Sequence, residues 1–185
     1  MNDQFRVFID CTTNDIIIAL YLKEKLIKSR IIPTKKNMTD LVIYELKTLL
    51  DTKNIHLKEL QYLYINHGPG SFTGIRIVLT IAKLLLVSNK GIKVYFLDTF
   101  NIYREDPSVL IFMDARGGRY FVMTQNDNRY QLVSKIDLDK LKSNDQYQDL
   151  DQYDRRKSLT KLPFSSFKEA KEIDDLYGNY IKDEL

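Results

Sequence analysis

The sequence predicts an α/β protein, a mixed sheet flanked by helices, followed by a shorter second lobe. Three observations carry that expectation. Three successive runs rich in β-branched residues lie before Pro33. Helical and strand patterns then alternate as far as Leu97. Between them the run Gly68-Pro69-Gly70-Ser71-Phe72-Thr73-Gly74-Ile75-Arg76 breaks one strand and opens an apolar helix.

Each element follows from its residues. Phe5–Asp10 is a short apolar strand, and residues 11–15 turn the chain. Ile16–Leu22 is a second strand, and Leu26–Ile32 alternates as a third, which Pro33 ends. Asn37 or Thr39 is the expected cap of a helix over Asp40–Leu50, with Asp40 in the favourable first turn. Gln61–Asn66 is a strand, Ile75–Val87 a helix, Lys93–Leu97 a strand, and a short helix starts at Asp98. A three-strand meander followed by alternating helices and strands is the order of ribonuclease-H-like and actin-like ATPase cores. The first lobe is expected to span 1–104 and the second, shortened lobe 105–185. Within the latter, Val109–Asp114 and Tyr120–Gln125 read as a hairpin, with Gly117 and Gly118 supplying positive φ. Arg129–Lys135 reads as a strand, Ser143–Ser158 as loop and Phe167–Ile173 as a short helix.

The helix after the glycine run is unusually apolar. Between Ile75 and Val87 only Arg76, Thr80 and Lys83 are polar, and they fall on one narrow stripe. Such a helix is either enclosed by its own domain or shared with another chain. It is too short to span a membrane.

Bulk properties narrow the function classes. With 185 residues and 44% hydrophobic content, one medium domain or two small lobes can bury a core. A net charge of +3 without a long basic block does not announce a nucleic-acid binder. The single cysteine, Cys11, excludes an internal disulfide framework and fits a reducing, cytoplasmic setting. The polar start carries no secretory signal, so the closing Lys182-Asp183-Glu184-Leu185 reads as chance rather than as a retention address.

Several residue patterns bear on chemistry. The glycine run resembles a phosphate loop in outline, because free helix N-terminal amides bind anions. A Walker loop, however, needs Lys-Ser/Thr after its last glycine, and Gly74 is followed by Ile75 and Arg76. The run is therefore either a structural turn or an anion or partner site. Asp10 and Asp114 close strands, the arrangement in which two carboxylates hold a divalent metal or merely accept turn amides. Thr12 and Thr13 offer hydroxyls to an anion, although no glycine follows Asp10. His56 and His67 lack metal-spaced partners, and Cys11 lacks a triad, so neither a zinc site nor a nucleophile is indicated. Arg116 and Arg119 flank the hairpin turn and are either solvated charges or contacts to a phosphate or RNA backbone.

Taken together these motifs resemble the TsaB (YeaZ) family. The resemblance is carried by Phe8-Ile9-Asp10-Cys11-Thr12-Thr13, the glycine run with Ala82-Lys83, Asp114-Ala115-Arg116 with Tyr120, and Leu176-Tyr177-Gly178-Asn179-Tyr180-Ile181. It is strong over residues 5–125 and weak over 126–175. It implies an actin-like ATPase fold without independent catalysis and with no catalytic residue or metal of its own. It also implies a heterodimer with the catalytic paralogue TsaD, joined by the small ATPase TsaE. That assembly transfers threonylcarbamoyl from threonylcarbamoyl-adenylate to the adenosine beside the anticodon of ANN-decoding tRNAs. ATP and magnesium act at the level of the whole complex, tRNA is met through the complex, and the subunit self-associates when the partner is missing. The two first helices form the interface, which assigns Met38, Leu41, Val42, Glu45 and Leu49 on one and Ser71, Phe72, Thr73, Ile75, Arg76, Leu79, Lys83 and Leu86 on the other. Asp10, Thr12, Thr13, Gly70, Asp114 and Arg116 are the residues of a candidate nucleotide or anion site. One departure is Met38-Thr39-Asp40, where the family carries His-Ser-acid, so the contact is expected to be more apolar. The rival reading is a small actin-like ATPase or phosphotransferase using Asp10 and Asp114. A third is a direct RNA-binding module led by Arg116 and Arg119.

Overall fold

The computed structural model describes residues 4–13, 15–33, 37–125, 127, 129–143 and 146–179. Tyr180 and Ile181 of the closing segment, and the tetrapeptide after them, lie outside these. The meander is β1 (Phe5–Asp10), β2 (Asp15–Leu22) and β3 (Lys25–Pro33), followed by helix α1 (Met38–Asp51). Then come β4 (Tyr62–Asn66), α2 (Phe72–Ser88), β5 (Lys93–Leu97) and α3 (Thr99–Tyr103). The second part holds β6 (Leu110–Arg116), β7 (Arg119–Met123), β8 (Gln131–Ser134), α4 (Lys135–Lys142), β9 (Tyr147–Asp149), α5 (Arg156–Leu159) and β10 (Lys168–Ala170).

Two mixed sheets result. The first has the order β10-β5-β4-β1-β2-β3, the second β8-β7-β6-β9. The meander strands pair antiparallel, whereas β1, β4 and β5 run parallel and therefore need the crossover helix α2. Alternation along each strand divides the core. Val7, Ile9, Ile16, Ile18, Leu63 and Ile65 face the buried sides of α1 and α2. Phe8, Ile17, Tyr21 and Tyr64 face α3 and residues of the second sheet such as Ile111 and Met113. Central strands buried on both faces explain why β1 and β2 read as nearly continuous apolar runs.

Four local expectations change. Asn37 precedes α1 in a left-handed conformation (φ 57) and makes no side-chain cap bond. The strand expected over Arg129–Lys135 stops at Ser134, whose hydroxyl caps α4 by accepting the Asp137 amide at 3.2 Å. Ser134-x-x-Asp137 is a helix-start signal that can be read in the sequence. The region expected as loop, Ser143–Ser158, contains β9 and the start of α5. The short helix expected at Phe167–Ile173 is instead edge strand β10, paired antiparallel with β5. Lys168-Glu169-Ala170 has no strand propensity of its own; β5's open edge supplies the hydrogen-bond partners. Through β10, chain from beyond residue 104 returns to the first sheet. The hairpin turn follows expectation, with Gly117 at φ 63 and Gly118 at φ 74.

Candidate functional site

The glycine run is built against the β1–β2 turn. Asn66, fully buried at the end of β4, donates to the Thr12 hydroxyl at 3.1 Å and accepts the Gly68 amide at 3.0 Å. Thr99 Oγ1 lies 2.5 Å from Pro69 O and 3.0 Å from Asn66 Oδ1. The Ser71 amide donates to Thr12 O at 2.6 Å, and Ser71 Oγ caps α2 by accepting the Gly74 amide at 3.3 Å. Replacing that cap by alanine costs about 1 kcal/mol. A Cβ on Gly70 (φ 152) would stand 2.3 Å from Thr12 O, and one on Gly74 would stand 1.7 Å from Cys11 O. The glycines thus permit two backbones to touch, and the Ser71 amide is spent on a protein carbonyl. This geometry explains the glycines as a turn packed on the β1–β2 connection, while Gly70, Ser71 and Phe72 of the same run also line a cavity.

Five of the six nominated anion-site residues converge. Thr12, Thr13, Gly70, Asp114 and Arg116 line one cavity of about 330 Å³ between the lobes, together with Phe72 and Asp151. Asp10 is not among its walls. Its carboxylate is fully buried and accepts the Thr12 amide at 2.6 Å and the Tyr103 hydroxyl at 2.5 Å. The guanidinium of Arg155 lies 3.5 Å from Asp10 Oδ2 and 4.7 Å from the centre of the Tyr103 ring. Burial, reinforced by the Asp10 carboxylate, raises the Tyr103 hydroxyl well above its ordinary range. The same two causes raise the Cys11 thiol, keeping it protonated and unreactive at neutral pH. Asp114 accepts the Arg116 amide at 2.7 Å, while its own amide donates to Asp151 at 2.6 Å. Burial raises Asp151, with the Asp114 amide hydrogen bond opposing it and the Asp149 and Asp114 carboxylates adding to it. Among the described residues Asp10 and Asp114 share no hydrogen-bond or ion-pair partner, and no cluster of three or more histidine, cysteine or acidic groups is placed to hold a metal.

The nominated interface residues divide by exposure. Phe72, Thr73 and Arg76 face solvent, with the Arg76 guanidinium 5.4 Å from the Phe72 ring centre. Met38, Leu41, Ser71, Lys83 and Leu86 are half-buried. Val42, Glu45, Leu49, Ile75 and Leu79 are buried in the chain's own structure, Leu79 being only 8% exposed. Glu45 is held by Arg30 Nε at 2.6 Å. Four exposed apolar residues on the same two helices were not nominated: Ile43, Tyr44, Leu84 and Val87, the last three each 63% exposed. In so apolar a helix, composition does not say which apolar side points outward; contact with the sheet decides it.

The closing segment braces the glycine run. Asn179 N donates to His67 O at 2.9 Å, the Tyr130 hydroxyl reaches Asn179 O at 3.3 Å, and His67 Nδ1 lies 3.2 Å from Tyr177 O. Burial lowers the His67 pKa, outweighing the Tyr177 carbonyl and Asp98, which raise it, while Lys168 adds to the lowering. The unfolded imidazole titrates near 6.5, so below that pH the unfolded chain binds more protons than the folded one. Stability is therefore expected to fall as pH drops from 7.5 to 5.5. The urea midpoint should shift less over this interval in His67→Gln; an equal shift in both proteins would rule out this histidine as the cause.

Residues 31–165 match the family model described as TsaD, tRNA N6-adenosine threonylcarbamoyltransferase. An uncharacterized protein of Mycoplasma genitalium is 28% identical over 97% of this chain and 96% of its own length. The tRNA threonylcarbamoyladenosine biosynthesis protein TsaB of Buchnera aphidicola subsp. Schizaphis graminum is 32% identical over 61% of this chain and 56% of its own. A Pseudomonas aeruginosa crystal structure of a protein similar to peptidase YEAZ superposes with a TM-score of 0.57 at 18% identity. It covers 71% of this chain and 67% of that one. A second structure, YeaZ from the same organism, gives 0.54 at 19% identity, covering 71% and 65%. The mixed sheets and flanking helices are thus the actin-like, ribonuclease-H-like fold of those structures. The chain belongs to the TsaB (YeaZ) family, within the range of the TsaD-type family model, a family of tRNA threonylcarbamoyladenosine biosynthesis.

Proposed function

We propose that this chain is the non-catalytic partner subunit of a threonylcarbamoyl transferase, docking on a TsaD-type catalytic paralogue through the outer faces of α1 and α2. The observation that carries the reading is the row of large apolar side chains those helices turn away from the sheet: Ile43, Tyr44, Phe72, Leu84 and Val87. Both helices cover the same sheet face, so these residues share one side of the molecule. A concentrated apolar face of this kind marks a protein contact rather than ordinary surface. Arg76 and Lys83 supply a polar rim. In this reading a TsaE-like ATPase and tRNA join through the assembled complex, and the same face supports a self-dimer when the chain is alone.

Support for an accessory role comes from Asp10. A hydrolytic centre needs that carboxylate open to a metal or water, yet it faces a tyrosine hydroxyl and an arginine in the closed interior. These residues do not fit a magnesium–ATP centre, and no step is assigned to one. The cavity at Thr12, Thr13 and Arg116 supports only the weaker reading of a small-anion site.

The test is Leu84→Glu combined with Val87→Glu. Both side chains are largely solvated, so the thermal midpoint should stay near wild type. Light scattering on size exclusion with the TsaD-type paralogue should show the one-to-one complex weakened by at least about 100-fold, as for buried apolar hot spots. Normal complex formation by the folded variant would remove the interface assignment.

A further inference from the structure

The stretch Arg155-Arg156-Lys157-Ser158-Leu159-Thr160-Lys161 carries four cations. Arg155 turns inward to Asp10. The other three remain at the surface, and no ion pair joins Arg156, Lys157 or Lys161 to a carboxylate among the described residues. Lys157, Ser158 and Lys161 line an open cavity of about 240 Å³, with Arg104 on its wall. Arg104 is fixed there by four carbonyl oxygens and a thioether, donating to Pro107 O at 2.5 Å, Thr124 O at 3.1 Å, Val109 O at 3.2 Å, Asp106 O at 3.3 Å and Met123 Sδ at 3.4 Å. Hydrogen bonds to these neutral acceptors orient the guanidinium, and the Asp106 carboxylate near it offsets part of its charge. The one carboxylate lining the cavity, Glu105, accepts the Tyr153 hydroxyl at 3.0 Å. Three cations therefore face one carboxylate across a small, solvent-open hollow, while the Ser158 hydroxyl on its wall is tied to that of Tyr153 at 2.8 Å.

We propose that this cavity, centred on Lys157, Ser158 and Lys161, binds a backbone phosphate of an RNA and is this subunit's own contact with tRNA. The choice of RNA rests on membership in a tRNA-modifying family; the phosphate chemistry rests on the cavity. Two mobile ammonium groups beside a fixed guanidinium suit the sequence-independent phosphate contacts that position an RNA without reading its bases. Arg116 and Arg119 lie on the β6–β7 hairpin and do not line this cavity. Arg116 lines the interlobe cavity instead, where its amide is tied to Asp114.

The experiment uses the full chain, alone and bound to the TsaD-type paralogue, titrated with unfractionated tRNA over a range of salt. Lys157→Ala with Lys161→Ala should lower tRNA affinity about tenfold at low salt and reduce the salt slope by about one to two units. Lys157→Arg with Lys161→Arg, which keeps the charge, should restore most of it. Unchanged affinity and slope in the alanine variant would overturn the proposal. So would loss of inorganic phosphate or AMP binding with tRNA binding intact, which would make the cavity a mononucleotide site. Light scattering of the same variant with the paralogue separates the two readings. Normal complex formation with weakened tRNA binding supports both, whereas failure of the docking variants above bears on the α1–α2 face alone.

Discussion

Gly74→Ala is expected to leave the chain largely unfolded. In an unpacked helix this substitution gains about 1 kcal/mol, because glycine loses more backbone freedom than alanine. Here the sign reverses. The new methyl would meet Cys11 O at 1.7 Å and the Cys11 carbonyl carbon at 2.7 Å, and neither is the far end of a flexible side chain. Relief requires α2 to slide off β1, which opens the contacts of Ile75, Val78 and Ala82 with the first sheet. Overpacking against backbone costs about 3 kcal/mol or more, a large share of a domain stability of about 5–15 kcal/mol. Urea unfolding followed by far-ultraviolet circular dichroism measures it. Gly91→Ala is the control, since its Cβ would meet only Asn89 Oδ1, at an ordinary 3.5 Å. A wild-type midpoint for Gly74→Ala would show that the β1–α2 contact does not set the position of the helix. Because α2 carries half of the docking face, any folded remnant should also bind the paralogue poorly.

Asp10→Asn should be nearly as damaging, and for an electrostatic reason. The side chains of Asp10 and Arg155 are 1% and 6% exposed, and they join the first strand to the segment before α5. Among the described residues Nη1 and Nη2 of Arg155 have no hydrogen-bond partner, so the charge pairing at 3.5 Å and the Tyr103 ring are what stabilise the guanidinium. Removing the carboxylate charge strands a cation in the interior, at a cost of about 3–5 kcal/mol. Adding Arg155→Met should recover much of that loss, since an apolar side chain of similar length needs no partner. No recovery in the double variant would mean that the pair does not act as a unit. The same proteins separate the accessory and hydrolytic readings. Wild type alone should release no phosphate from magnesium–ATP above background, and turnover that vanishes in Asp10→Asn would restore the enzyme reading.

How much of this was legible beforehand depended on how local each cause was. The β-β-β-α-β-α-β order could be read because period-2 and period-3.6 patterns, Pro33 and the glycine run are properties of neighbouring residues. The Gly117–Gly118 turn was legible for the same reason. Strand β10 was not, since Lys168–Ala170 becomes a strand only by meeting the edge of β5, more than seventy residues earlier. Helix α4 was missed although its Ser134–Asp137 signal was present. The candidate site divides in the same way. Thr12, Thr13, Gly70, Asp114 and Arg116 were named from three separate segments, and folding brought them to one cavity. Asp10, named with them, was drawn inward by Tyr103 and Arg155, partners that no spacing in the sequence connects to it.

By itself the sequence determined the class of fold and the family, and it singled out the glycine run and the unusually apolar helix after it. Only the tertiary structure decided which sides of those helices remain outside. Leu79 and Leu84 are equally apolar, yet one is 8% and the other 63% exposed. The physical reason is that hydrophobic burial is non-directional. It drives an apolar helix onto the sheet, while the backbone contact at Gly74 sets the rotation that leaves Leu84 and Val87 facing outward.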